Sequence, residues 1–170
     1  MAMLKSLRDL FIHSLQEIFD AEKQLLDALP KMVQAASSEK LQAAFSEHLQ
    51  QTVGHVERLE AIFKSLEVSG HGGSCAAMKG LIEGGTQAID QDADAALHDA
   101  ALIAAAQKVE HFEIASYGTA ATFAELLNAS EAAELLKETL EEEKDTDQKL
   151  TQLALSEINV EARMAPVSPG

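Results

Sequence analysis

Six residues of this chain have the type and spacing to hold a metal ion: Glu22, His55, Glu110, Glu113, Glu143 and Asp147. Glu110 and Glu113 lie in the stretch Ala104 to Thr119, AAAQKVEHFEIASYGT, which reads as a helix with an apolar side close to both acids. A three-residue step on a helix brings two side chains to one face. Carboxylates buried together are strongly unfavourable unless protonated, paired or bound to a cation, because each raises the other's pKa. A divalent metal removes that penalty, and an oxygen-rich set with one histidine suits iron or manganese better than zinc or copper.

Four long helices must carry these residues. The first is expected over about Met3 to Ala36, its stripe Leu4, Leu7, Phe11, Ile18, Leu25, Leu29, Met32 interrupted by Ser14 and Glu22, with Pro30 marking a kink or boundary near Leu29. The second, about Glu39 to Leu66, has a stripe whose centre is polar: Leu41, Phe45, His48, Thr52, His55, Leu59, Ile62, Leu66. A glycine-rich break containing a loop histidine, His71, leads to a short helix over Cys75 to Ile89 within a long crossover. Asp90, Asp92 and Asp94 follow, as caps or loop residues; they lack the glycine and distal glutamate of a calcium loop. The third long helix spans about Ala95 to Leu127, packing through Leu97, Ile103, Ile114, Phe123 and Leu127, and Ser130 is a candidate N-cap for the fourth. That helix, about Glu131 to Val160, packs through Leu135, Leu136, Leu140, Leu150, Leu153 and Ala154, with Glu143, Thr146 and Asp147 breaking its middle.

Short turns make two antiparallel hairpins joined by the crossover, so the expected class is all-α, a ferritin-like four-helix bundle. Residues 1–163 form it, and 164–170 are expected to be a disordered tail. Residues equally far from a hairpin turn lie at one height. Glu22 and Thr52 each stand fifteen residues from Ser37, and Thr52 is within a turn of His55. About the second turn, Ala129, Glu113 mirrors Asp145, within a turn of Glu143, Thr146 and Asp147. The template for a carboxylate site in such a bundle takes one Glu from each of two helices and Glu-x-x-His from each of the others. Glu22 and Glu113 meet the first requirement; Thr52-x-x-His55 and Glu143-x-x-Thr146 meet the second in part, one Glu and one His short. Glu110, Asp147 or His48 could compensate, His48 being otherwise a core histidine, and two metals, one or none remain open. Tyr117 reads as packing near Glu113, and Glu141 and Glu142 as a solvated face.

Composition narrows the partners. Thirteen basic residues against 28 acidic ones give a net charge of −15 with no basic stripe, which speaks against nucleic acid and against a DNA-protecting miniferritin. The single cysteine, Cys75, permits no intrachain disulfide and no electron-transfer cysteine set. No stretch has the features of a signal peptide or a membrane span, so a cytoplasmic location without membrane partners is expected.

The segments IFDAEKQLLDALPKM (Ile18 to Met32), HLQQTVGHVERLEAIF (His48 to Phe63), CAAMKGLIEG (Cys75 to Gly84), AAQKVEHFEIASYGT (Ala105 to Thr119) and ETLEEEKDTDQKLT (Glu138 to Thr151) together resemble the YciF-like bacterial stress proteins of the ferritin-like superfamily. The resemblance implies a homodimer among di-iron-type proteins related to rubrerythrin, with a stress-response role. Its paired Glu-x-x-Glu on the third long helix is matched by Glu110 and Glu113, whereas Thr52 and His55 match least well. Two functions follow as expectations: a metal-dependent oxidoreductase acting on ferrous iron or peroxide, or a non-catalytic structural or binding dimer with a degenerate metal site.

Overall fold

The computed structural model describes residues 4–164. Their order is α1 Leu7–Ala35, α2 Glu39–Ser65, α3 Ala76–Ile89, α4 Ala95–Leu126, α5 Ser130–Leu153, a π-helical turn Ala154–Ile158, and α6 Asn159–Met164, with no strand among the described residues. Helices α1, α2, α5 and α4 pack in a closed ring, each against its two neighbours, and α3 lies over the seam between α1 and α4. This is the antiparallel four-helix bundle with a long crossover.

The boundaries follow local chemistry. Ser6 caps α1, its hydroxyl accepting the Asp9 N–H at 3.1 Å, and the Ser38 hydroxyl accepts the Leu41 N–H to start α2. Pro30 does not end α1, which continues to Ala35. Ser130 is the first residue of α5 rather than its cap, and neither Asp94 nor Ala129 makes a side-chain cap. Asn128 closes α4 at φ 57°, a left-handed conformation that asparagine tolerates. At Gly73 the loop before α3 presses onto α1, where a Cβ would stand 2.5 Å from the Gln16 carbonyl carbon, so only glycine fits.

Three stripe residues do not pack as expected. Leu4, Leu7 and Leu97 are exposed: Leu4 precedes α1, Leu7 opens it, and Leu97 lies in the first turn of α4. Residues 1–3 and 165–170, including most of the expected tail, lie outside the described residues, and Met164 belongs to α6.

The core is divided along the bundle axis. One apolar cluster, with Phe11, Leu15, Leu59, Tyr117 and Leu136, fills one end, and another, with Phe45, Leu41, Leu102, Ile103 and Leu150, fills the other. Between them lies a layer of buried polar residues. A different buried acid, Asp99 of α4, is fully used: its two oxygens accept the Ser37 and Ser38 N–H groups, each at 2.8 Å, tying the first hairpin turn to α4. Asp99→Ala should lower stability by about 1–3 kcal/mol, since it strips both amides of a charged acceptor. Urea denaturation checks it.

Candidate metal centre

The polar layer is built by positions that helical spacing aligns. On α2, His48 and His55 are seven residues apart, nearly two turns, so both rings face the bundle axis. Glu22 of α1, Glu110 and Glu113 of α4 and Glu143 of α5 meet them there, all with relative exposures of 0–2%. Two sets of atoms converge: His48, Glu110, Glu113 and Glu143 form one, and Glu22, His55 and Glu143 the other, with the ligand atoms of each set within 4.8 Å of one another. Glu143 belongs to both. It stands where a bridging carboxylate would.

The layer is short of partners. Glu22 Oε2, His48 Nδ1 and Nε2, His55 Nδ1, Glu110 Oε2, both oxygens of Glu113 and both of Glu143 are buried without a hydrogen bond. His55 Nδ1 lies 3.2 Å from Glu22 Oε1 and 3.1 Å from Glu143 Oε1, and His48 Nε2 lies 3.3 Å from Glu110 Oε1, as close ion-pair contacts without hydrogen-bond geometry. Buried polar groups in folded proteins are nearly always satisfied. So many orphaned acceptors and ring nitrogens at one level match a metal's needs.

Protonation follows the same crowding. Burial, reinforced by the Glu143 carboxylate, holds Glu110 and Glu113 well above the ordinary carboxylate value. Burial likewise raises Glu22, opposed by His55. For His55 burial acts downward, but the close Glu143 and Glu22 carboxylates outweigh it and lift the imidazole to about 10. Burial lowers His48. Without a cation, protons on Glu22, Glu110, Glu113 and His55 would keep the layer tolerable.

The surrounding residues fix the orientation of this layer. His55 Nε2 is 2.9 Å from Glu142 Oε2, and Arg58 grips the same carboxylate with Nη1 at 2.7 Å and Nη2 at 2.8 Å. With Nε2–H directed to Glu142, loss of the Nδ1 proton to an arriving cation would leave a lone pair facing the cluster, the arrangement in which metal-bound histidines donate their other N–H to a carboxylate. Tyr117 donates its hydroxyl to Glu22 Oε1 at 2.5 Å. Burial first, with the negative charge of Glu22, holds the phenol well above its ordinary pKa, so it remains a donor.

Five of the six residues singled out from sequence are thus brought together: Glu22, His55, Glu110, Glu113 and Glu143. Asp147 is not; it accepts Gln107 Nε2 at 3.1 Å and faces the exposed His111 at 3.4 Å. His48 takes a place in the cluster instead. Thr52 and Thr146, at the two template gaps, are turned to other bonds: Thr52 donates to the His48 carbonyl, and Thr146 contacts the Glu142 carbonyl and Gln51. Glu141 is solvated as expected, but Glu142 is not. The sequence signal for Glu142 and Arg58 was their placement beside Glu143 and one turn after His55.

A family model described as a domain of unknown function, DUF892, matches residues 6–163. Protein YciF of Escherichia coli K12 is 51% identical over 162 residues, covering 94% of this chain and 96% of its own. The crystal structure of the E. coli stress protein YciF superposes with a TM-score of 0.89 at 52% identity, covering 92% of this chain and 99% of that one. YcfI from Rhodopseudomonas palustris, described as a candidate structural protein, gives 0.84 at 39% identity over 86% of this chain and 94% of its own. A two-domain protein from Anabaena variabilis, with DJ-1/ThiJ/PfpI-like and ferritin-like domains, matches at 18% identity with a TM-score of 0.64, covering 98% of this chain and 40% of that one, and so shares the fold alone. With the polar layer and the bundle topology in place, this chain belongs to the DUF892 family, that of YciF.

Proposed function

We propose that this chain is a stress-response metalloprotein that holds two divalent ions, iron or manganese, in the polar layer of its bundle. The observation that carries this reading is the set of buried, unpartnered oxygens and ring nitrogens contributed by all four long helices. Glu22 and His55 would hold one ion, His48, Glu110 and Glu113 the other, and Glu143 would serve both. Bound there, the metal pair would supply electrons and open positions for an oxygen ligand, which suits oxidation of ferrous iron or reduction of peroxide. Ferrous ions held there would supply the two electrons with which one hydrogen peroxide, taking up two protons, becomes two waters. Glu110 and Glu113 give up their protons as a cation arrives, and Tyr117 and Glu142 keep Glu22 and His55 aimed inward. The cysteine content offers no internal electron relay, so repeated turnover needs an external donor. The cytoplasmic setting and the homodimer implied by the YciF-like resemblance belong to the same reading. No helix among the described residues is long and apolar enough to cross a membrane.

A second reading is a structural or binding dimer whose metal site is degenerate, and the threonines at positions 52 and 146 favour it. On that reading chelation leaves the melting temperature unchanged.

Metal analysis after anaerobic ferrous or manganous loading separates the two. The first reading predicts about two ions per chain, loss of most of this metal in Glu113→Ala, and a roughly 10- to 100-fold weaker affinity in Glu142→Gln, where His55 loses its charged partner. A stoichiometry near zero, unchanged by Glu113→Ala, would overturn it.

A pH dependence follows from the raised groups. Glu110 and Glu113 are raised above 4.5, and His55 from 6.5 to about 10, so the folded chain binds more protons than the unfolded one across those windows. Their contribution is fully present below the unfolded values and is lost as pH rises through the folded ones, at about 1.4 kcal/mol per pH unit for each group in its window. His48, lowered by burial, works in the opposite sense but only below 6.5. Chelated protein should therefore melt progressively lower as pH rises above neutrality, and metal should cancel the slope because it replaces the protons. Calorimetry with and without metal tests the sign.

A further inference from the structure

Beneath α3, where it crosses the seam of α1 and α4, lies a cavity of about 50 Å³. Its walls include Met32 of α1, Ile82 and Ile89 of α3 and Val109 of α4, and it also reaches His48 and Glu110. Those two are 2% and 1% exposed, and both ring nitrogens of His48 and Oε2 of Glu110 lack a partner. The roof is thinned by a buried glycine: nothing lies within 4 Å of where a Cβ on Gly85 would stand. Alanine would suit the helix better and would occupy space that glycine leaves open.

The lining selects a ligand class. A water-sized centre needs roughly 10–15 Å³, so the cavity takes a few heavy atoms. The lining also includes Lys31 and Thr86, but a hydrated cation would lose its water against mainly aliphatic walls and meet the like charge of Lys31. Hydrogen peroxide gains little from them, whereas an alkyl chain gains roughly fourfold in affinity per buried methylene.

We propose that this cavity binds a short-chain alkyl hydroperoxide, its alkyl body against the aliphatic walls and its peroxide head at the edge of the polar layer, where His48 and Glu110 would hold an ion. The inference rests on the two-ion reading given under Proposed function and names its substrate. In the reaction the O–O bond breaks, ferrous ions held in the layer would supply the two electrons and end ferric, and two protons complete the products, an alcohol and one water.

The test has a binding arm and a reaction arm. In the first, the full-length chain, chelated, is titrated with tert-butyl alcohol, an unreactive product, while methyl NMR signals of Met32, Ile82 and Ile89 are followed. A saturable shift is expected in the wild type and in Gly85→Ala, and its loss in Gly85→Leu; Ile82→Phe is a second plug should Gly85→Leu not fold. In the second, ferrous-loaded protein undergoes one turnover with tert-butyl hydroperoxide or hydrogen peroxide. The plugged variants should retain their iron and react about tenfold more slowly with the alkyl hydroperoxide, the scale on which one misplaced methylene group acts in a pocket, and less than about twofold more slowly with hydrogen peroxide. No saturable shift in the wild type, or an undiminished shift in the plugged variants, overturns the site. Equal slowing with both peroxides overturns the substrate class. A chain that binds the alcohol but takes up no iron overturns the two-ion reading and the reduction with it, while leaving the cavity as a ligand site.

Discussion

The structure depends on a layer of carboxylates and imidazoles held out of water between two apolar plugs. Hydrophobic burial on either side supplies the stability that lets such a layer exist, since charged groups in a low-dielectric interior are costly unless compensated. Compensation by hydrogen bonds is incomplete here, and the remainder falls to protons or to a cation. Asp99 supplies the contrast within the same molecule: equally buried, it is saturated by two backbone amides and has no capacity left for a ligand.

Orientation of the layer comes from outside it. Arg58 holds Glu142, Glu142 holds His55, and Tyr117 holds Glu22, so two of the inward-facing groups are fixed by partners on neighbouring helices. Preorganisation of this kind is what distinguishes a site from a chance gathering of acids. The crossover adds a different element. By covering the α1 and α4 seam with a glycine-thinned helix, it leaves an apolar space that ends on His48 and Glu110.

Much of this was legible in the sequence because helices rise at a fixed rate. Counting from the two hairpin turns sets Glu22 level with the turn of His55, and Glu113 with Glu143, and the structure brings all four together. Height is only one coordinate, however. Asp147 has the right height and, four residues from Glu143, is offset by about 40° around the helix, enough to face Gln107 and His111. Glu142 is offset the other way, yet its longer side chain reaches the outer nitrogen of His55. His48 was visible in the stripe of α2, but its role depended on whether its nitrogens found partners, and that is decided by Glu110 and Glu143 on other helices. Alanine-rich α4, packed against α1, α3 and α5, has so broad a buried face that periodicity could not tell Glu110 from a groove residue.

Anomalous diffraction from crystals grown with manganese, collected where manganese scatters anomalously, would locate any ions in the polar layer. Two peaks are expected, one among Glu22, His55 and Glu143 and one among His48, Glu110, Glu113 and Glu143, with Glu143 near both. Ordered water at these positions, or manganese bound only at surface acids, would contradict the two-ion reading.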